Sequence, residues 1–233
     1  MKFEESNIEE MKKVRLNYDL SRTGDTDIMI IFIKGFCSDK HNPKPQTLRA
    51  LGYACEKHKN GKRDNGEPYM VHPLSMVCFA IGLGLTDDNL LATILLHDVV
   101  EDTDANIDGL PVNMAVKQSV KYLTIGDPLP GESKEELKRR YFYSLLENLN
   151  ALLTKALDRY SNLSTMAGVF EIERIKKNVK ETKKLLLPVL KAAKDIYTEF
   201  SNEIHILREV IKILNLNLAI LLGEDLYAED ETT

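Results

Sequence analysis

The chain has 233 residues, of which 43% are hydrophobic and 29% are charged, and its formal net charge is −5. This length and composition are typical of a folded protein with a substantial core and exclude a largely disordered chain. Because no overall basic field attracts polyanions, we expect no nucleic-acid partner and no anionic membrane partner.

Cysteine usage and the N-terminal residues bear on the compartment. The three cysteines, Cys37, Cys55 and Cys78, are odd in number and lack a CxxC spacing, which argues against a disulfide framework or a thiolate zinc site. The acidic N-terminus has no signal-peptide core, and the longest apolar run, Ile28–Ile33, is too short to span a bilayer. We therefore expect a cytoplasmic protein.

Helical periodicity dominates the chain, and no alternating strand pattern stands out. Residues 1–24 are predicted to form a short amphipathic helix and a polar turn. Asp25 or Asp27 is expected to cap a helix through Cys37, although Ile28–Ile33 also suits a strand on local preference alone.

Further helices are predicted between breaking and capping residues. Their expected extents are Pro45 to His58, Met70 to Leu83, a helix capped by Thr86 or Asp87 that carries LLATILLHDVVEDTD, Leu110 to Ile125, Lys134 to Leu153 or beyond, residues 170–199, and Asn202 to Leu222. Ser133 and Glu136 form the pattern of a capping box, and Pro188 should kink the helix that contains it. The prediction is one all-α domain, residues 46–223, with an N-terminal extension, residues 1–45, and an acidic tail, residues 224–233.

The segment LLATILLHDVVEDTD, Leu90 to Asp104, combines an apolar run with a dense group of ionisable side chains. Interpreted as one helix, it places His97 over Glu101 and Asp98 over Asp102. Buried charges are costly unless they are paired or bind a metal. Imidazole and carboxylates without thiolates suit Mn²⁺, Fe²⁺ or a similar octahedral ion.

Such an ion needs ligands from further elements, and His72 in PYMVHPL and Asp158 in TKALDRYSNL are the candidates. Both lie among apolar residues, where a polar group without a partner is unfavourable. Ordinary structural interpretations stay open for each motif alone: a chance His-Asp pair, a solvated carboxylate-rich helix end, or a histidine at a helix start.

Three blocks occur in this order along the chain: HKNGKRDNGEPYMVHPL, LLATILLHDVVEDT and TKALDRYSNLSTM. Together they resemble the hydrolase domain of the RelA/SpoT-type alarmone enzymes, which belong to the HD-domain metal-dependent phosphohydrolases. The resemblance covers Gln46 to Thr165 and continues more weakly through ETKKLLLPVL. It implies an HD-domain helical bundle. It also implies removal of the 3′-pyrophosphate of ppGpp or pppGpp, usually with Mn²⁺; Fe²⁺, Co²⁺ and Mg²⁺ are the other cations considered.

The resemblance also implies a role for individual residues. The implied metal ligands are His72, His97, Asp98 and Asp158. The residues implied to position and activate water are Glu101 and Asp102. The residues implied to contact a guanosine nucleotide are Arg63, which would stack on the base, and Asn162, Thr165, Lys62 and His58.

The chain departs from the family pattern at two places. The third block usually reads D-R-L-H-N, and here Tyr160 and Ser161 stand before Asn162; Asp64 and Asn65 replace a basic-small pair after Arg63. About 70 residues follow Thr165, too few for an alarmone synthetase region, so the prediction is a stand-alone small alarmone hydrolase.

Two further functions stay open, removal of the 2′-phosphate of NADPH and non-catalytic alarmone binding. Residues 1–45 are expected either to cover the core or to form a homo-oligomer contact, and the sequence does not choose between these roles.

Overall fold

A computed structural model describes residues 25–167 and 169–223. Its helices are α1 Asp25–Cys37, α2 Pro45–Lys57, α3 Val71–Gly82, α4 Asp88–Leu96, α5 Val99–Asp102, α6 Met114–Leu123, α7 Lys134–Ser144, α8 Leu149–Thr165, α9 Ile172–Glu181, α10 Leu187–Ile196 and α11 Ser201–Leu222. Within these ranges no strand occurs, only an isolated antiparallel bridge between Lys62 and Pro68. The predicted all-α fold is confirmed. The helix expected before residue 25 and the acidic tail lie outside the described residues.

The described chain divides into two compact units inside α8, between Leu157 and Asp158. In the N-terminal unit, residues 25–157, α4 packs against α2, α3 and α6, and α1 packs against α3. Every residue of α4 from Leu90 to Leu96 is buried, so this helix forms the centre of that core. In the C-terminal unit, residues 158–223, α11 packs against α9 and α10. The predicted boundaries at residues 45 and 223 stay a prediction.

Several helix starts follow the predicted capping chemistry. The Asp87 carboxylate accepts a hydrogen bond from the Leu90 amide at 2.9 Å and caps α4. Ser133 and Glu136 form a reciprocal capping box at the start of α7. Pro45 is the first residue of α2, where its missing N–H removes no helical hydrogen bond. Residues Ile28–Ile33, which also suited a strand, lie within α1.

The prediction of one continuous helix through LLATILLHDVVEDTD is wrong. α4 ends at Leu96, and the short α5 begins at Val99. His97 and Asp98 both keep right-handed helical dihedral angles, but Asp98 is displaced to φ −105° and ψ −3°. The Asp98 carbonyl still accepts from the Asp102 amide at 2.8 Å, so the predicted pairing of Asp98 with Asp102 is preserved.

Two further helices differ from their predicted extents. α6 begins at Met114 rather than Leu110, because the Asn113 side chain caps Val116 at 3.0 Å. The helix predicted from Lys134 to Leu153 ends at Ser144; Asn148 is extended and its Oδ1 accepts from the Ala151 amide at 3.0 Å. This cap starts α8 as a separate helix.

The helix predicted over residues 170–199 is interrupted just before Pro188, as the proline suggested. A π-helical segment, Thr182–Leu186, joins α9 to α10. Proline lacks an N–H and its ring clashes with the carbonyl four residues earlier, so a widened turn relieves the conflict. In the part of the chain described, no helix combines the length and apolarity that a membrane span requires.

Candidate metal centre

Three buried side chains from three elements meet in the structure. One ligand atom of each of His72, His97 and Asp158 lies within 4.8 Å of the other two. The three residues are 3%, 5% and 7% exposed. Asp158 is the first residue past the division between the units, but it lies on the same continuous helix as residues 149–157. The backbone of Asp158 is therefore placed by the same helix as residues 149–157.

Local structure explains why these residues face one another. His72 is the second residue of α3, His97 is the C-cap of α4, and Asp158 lies within α8. The imidazole rings of His72 and His97 have centroids 5.3 Å apart. Asp158 follows the buried residues Ala156 and Leu157, so its carboxylate is held within the core.

The tautomer of His97 is fixed by the backbone. Its Nδ1 lies 2.8 Å from the Ile94 carbonyl oxygen, which can only accept, so Nδ1 carries the proton. Nε2 then keeps a lone pair and lies 2.7 Å from Asp98 Oδ2. Two acceptors at this separation are stable only with a proton or a cation to offset their repulsion. Two imidazoles and a carboxylate, with Asp98 alongside, are a donor set that fits a divalent transition metal.

Asp98 is tied to this cluster by two contacts rather than one. Besides approaching His97, its Oδ2 accepts a hydrogen bond from the Tyr69 hydroxyl at 2.6 Å. Burial, and then the negative charges of Asp98 and Asp102, raise the pKa of the Tyr69 phenol far above its ordinary value. The phenol therefore stays protonated and donates. Tyr69 was not among the predicted site residues, although it stands in the first of the three quoted blocks.

His58 packs on the other side of Tyr69. The two rings are stacked, with centroids 4.2 Å apart and an interplanar angle of 17°. Burial lowers the pKa of the His58 imidazole, although Asp102 and Asp98 partly oppose the shift. The backbone at Gly61 passes so close that a Cβ there would lie 3.0 Å from Tyr69 Cβ. This glycine lets the following loop pack against the pair of rings.

Glu101 and Asp102, the residues predicted to activate water, lie on α5 and are exposed. Partial desolvation of the Glu101 carboxylate and the nearby charge of Asp98 raise its pKa above the ordinary range, against an opposing effect of Lys155. A carboxylate with a raised pKa is a stronger base than an ordinary glutamate. Lys155 was not among the predicted site residues, although it stands in the third of the three quoted blocks.

The residues predicted to bind the nucleotide lie on two elements. Lys62 and Arg63 lie in the turn after α2, where the Arg63 amide donates to the Glu67 carbonyl at 2.9 Å and the turn closes at Gly66, with φ +83°. Lys62 is exposed and Arg63 is half-buried. Asn162 and Thr165 lie on α8.

The two α8 residues have different surroundings. Asn162 Nδ2 donates to Asp158 Oδ1 at 2.6 Å, which connects Asn162 directly to the three-residue cluster. The Thr165 hydroxyl donates to the Ser161 carbonyl of its own helix at 2.9 Å. The contacts of both residues with a nucleotide stay a prediction.

Arg159, next to Asp158, is a structural anchor that the sequence analysis missed. It is 4% exposed, and its guanidinium donates to Glu181 Oε1 at 2.6 Å and to Asn178 Oδ1 at 2.7 Å. A buried guanidinium needs such partners, and together they fix this part of α8 against α9. Glu181 is the first residue of ETKKLLLPVL, where the family resemblance is weaker. That segment was the signal in the sequence that could have pointed to this contact.

Comparison with known proteins shows what this chain is similar to. Residues 50–126 match the family model described as HD domain. The guanosine-3′,5′-bis(diphosphate) 3′-pyrophosphohydrolase of Aquifex aeolicus is 34% identical over 144 residues, which are 60% of this chain and 20% of that protein. This region of the chain is therefore similar to the HD domain and to part of proteins named as (p)ppGpp hydrolases.

Other proteins show the same similarity. The bifunctional (p)ppGpp synthase/hydrolase SpoT of Escherichia coli is 28% identical over 142 residues, or 58% of this chain. The chain spans about a fifth of the length of these curated relatives. A solved structure of a metazoan SpoT ortholog, described as hydrolysing ppGpp, has a TM-score of 0.51 and 24% identity and covers 78% of this chain and 93% of its own. That likeness supports the fold.

Proposed function

We propose that the HD domain hydrolyses the 3′-pyrophosphate of ppGpp and pppGpp with a divalent cation, releasing GDP or GTP and pyrophosphate. The observation that carries the proposal is the convergence of His72, His97 and Asp158 within 4.8 Å. The reaction is taken from the name of the Aquifex aeolicus relative, whose aligned segment includes 60% of this chain. Relatives and donor set together support a nucleotide phosphohydrolase.

The cation would be held by His72, His97 and Asp158, with Asp98 as the fourth ligand. Nδ1 of His97 donates to the Ile94 carbonyl and orients Nε2 toward the cluster; Tyr69 and Asn162 orient the two carboxylates through hydrogen bonds of 2.6 Å each. A bound divalent cation lowers the pKa of water and neutralises charge on phosphoryl oxygens. Mn²⁺ suits this set best, with Fe²⁺, Co²⁺ and Mg²⁺ as alternatives.

Glu101 is proposed to accept the proton of the attacking water. Its raised pKa gives the carboxylate the basicity that this step needs. Asp102 is proposed to hold the water in line with the scissile bond. Its backbone amide is anchored to the Asp98 carbonyl at 2.8 Å, which fixes α5 relative to the ligand Asp98.

The nucleotide is proposed to bind along the turn after α2 and the end of α8. Arg63 offers a planar guanidinium for stacking on guanine, and Lys62 offers an exposed ammonium for phosphate. His58 is uncharged near neutral pH because burial lowers its pKa, so it would act as a neutral hydrogen-bonding group. Asn162 and Thr165 are proposed to contact the sugar or phosphates from α8.

The test is turnover by the metal-depleted chain after addition of Mn²⁺, Fe²⁺, Co²⁺, Mg²⁺ or no metal. Equal concentrations of ppGpp, pppGpp, NADPH and GTP are compared, and pyrophosphate, phosphate and nucleoside products are separated. We expect pyrophosphate from ppGpp and pppGpp only in the presence of a cation. Release of phosphate from NADPH alone would favour the 2′-phosphatase, and binding of ppGpp without turnover under every condition would favour the non-catalytic module.

A further inference from the structure

A pocket with charged and apolar walls lies wholly within the C-terminal unit. Its volume is ≈ 370 Å³, and it is lined by residues of the π-helical segment, α10 and α11. Lys183, Leu187 and Lys191 lie four residues apart in sequence on one wall, and Arg208 and Lys212 lie four apart on the other. Residues at this spacing share one face of a helix, so two basic stripes face a common space. A volume of this size suits a small organic ligand.

The walls combine positive charge with apolar surface. The side chains that line the pocket include four cations and no carboxylate among the described residues. Glu209, next to Arg208, pairs with Arg208 and lies 3.7 Å from the Lys212 ammonium through its Oε2. Glu209 thus supplies one carboxylate for the two cations of α11, and Lys191 adds a further cation from α10. Leu187 and Leu216 supply apolar contacts between the charged groups.

Asn215 adds a polar group at the buried end of this lining. It is 2% exposed, and among the described residues its Oδ1 has no hydrogen-bond partner. Asn215 lies seven residues after Arg208 and three after Lys212, on the same face of α11. A buried amide oxygen without a donor costs free energy. A ligand that brings an N–H or O–H group would remove this cost.

We propose that this pocket is a binding site for a small amphiphilic anion. The ligand carries a phosphate, sulfonate or carboxylate that meets the basic stripes, and an apolar or aromatic body that packs on Leu187 and Leu216. It also carries a hydrogen-bond donor that reaches Asn215. None of the residues of the metal cluster lines this pocket, so the site is independent of the proposed hydrolysis.

The probe is 8-anilinonaphthalene-1-sulfonate, which combines an anionic group, an aromatic body and an N–H donor in one small molecule. We titrate it into the full chain at low ionic strength, follow its fluorescence and measure stoichiometry by calorimetry. The wild type should bind one equivalent. Lys191→Ala combined with Lys212→Ala should weaken binding about tenfold, because two partly exposed ion pairs are removed together. Both lysines are exposed, so the thermal unfolding midpoint should stay within about 2 °C of the wild type.

The matched control is Lys134→Ala combined with Lys177→Ala, which removes the same charge from exposed positions on α7 and α9. Its affinity for the probe should equal that of the wild type. EDTA should leave binding unchanged, since the pocket has no residue of the metal cluster. The proposal is overturned if the wild type shows no saturable one-to-one binding, if the control loses as much affinity as the pocket variant, or if EDTA abolishes binding.

Discussion

Two regions bury polar groups: the cluster of His72, His97 and Asp158, and the pocket lined by Asn215. The two regions differ in whether those groups have hydrogen-bond partners. In the cluster, Tyr69 donates to Asp98, Asn162 donates to Asp158, and His97 donates to the Ile94 carbonyl. In the pocket, the Asn215 oxygen has no partner among the described residues. The first arrangement orients its ligand atoms in advance of any cation. The second leaves one hydrogen bond to be made by whatever enters.

This difference gives the two regions opposite responses to substitution. Removing a member of a hydrogen-bonded charged network leaves its partner buried and uncompensated, which costs function and stability. Removing an amide oxygen that has no partner among the described residues relieves a cost instead. Variants at the two places should therefore change metal binding, catalysis and stability in distinguishable ways.

The largest effect is expected for Asp158→Ala. The substitution removes one of the three clustered ligand atoms and leaves Asn162 without its acceptor. We expect loss of the bound cation and a fall in ppGpp hydrolysis of about 10³-fold or more. Metal content by mass spectrometry and turnover with added Mn²⁺ measure both. Asp108→Ala, an exposed acidic position on a loop of the N-terminal unit, is the control and should behave as wild type; retained metal in Asp158→Ala would remove Asp158 from the ligand set.

A smaller effect, confined to the chemical step, is expected for Glu101→Gln. The amide keeps the shape of the side chain but cannot accept a proton, so kcat should fall about 100-fold or more while metal content is unchanged. Asp104→Asn is the control, because Asp104 is exposed and pairs with Lys57 at 2.7 Å rather than with the cluster. Full activity in Glu101→Gln, or loss of its metal, would contradict the role proposed for Glu101.

Tyr69→Phe should have a moderate effect on metal affinity. It deletes the hydrogen bond to Asp98 and keeps the ring that stacks on His58. We expect cation affinity to fall about tenfold, as for other groups that orient a metal ligand. Titration of metal-depleted protein with Mn²⁺ measures it, and Tyr53→Phe on α2 is the control. Equal affinity in Tyr69→Phe and wild type would show that Asp98 needs no orientation by Tyr69.

The sequence predicted the helices, most of their caps and the residues that meet in the cluster. Asp87, Ser133 and Pro45 mark helix starts through local chemistry that does not depend on the rest of the fold. His72, His97 and Asp158 lie together as the resemblance implied, although their function as ligands stays a prediction. Asn148 offered a local capping signal that would have separated α7 from α8.

Other features depend on contacts between distant residues. The break at His97 and Asp98 is not visible in the sequence pattern, because the apolar run and the ionisable residues after it also suit one continuous helix. It accompanies the contact of Asp98 with Tyr69, 29 residues away in sequence. The π-helical turn before Pro188 accommodates the proline. Hydrophobic periodicity predicts an interruption there but not its exact form.

Asn215 shows a further limit of prediction from hydrophobic periodicity. Its substitution is expected to have the smallest effect of the four. It shares a helical face with the buried residues Ile211 and Leu218, so the pattern buries it but cannot show whether the amide finds a partner. Asn215→Leu keeps the branching at Cγ and replaces the unpaired oxygen with a methyl group, so the free energy of unfolding should rise by about 1 kcal/mol. The corresponding rise in the unfolding midpoint is about 2–4 °C. Asn217→Leu, at an exposed position of α11, should change the midpoint by less than about 2 °C. A lower midpoint in Asn215→Leu than in Asn217→Leu would mean that the amide already has a partner, and the contrast between the two buried polar regions would then disappear.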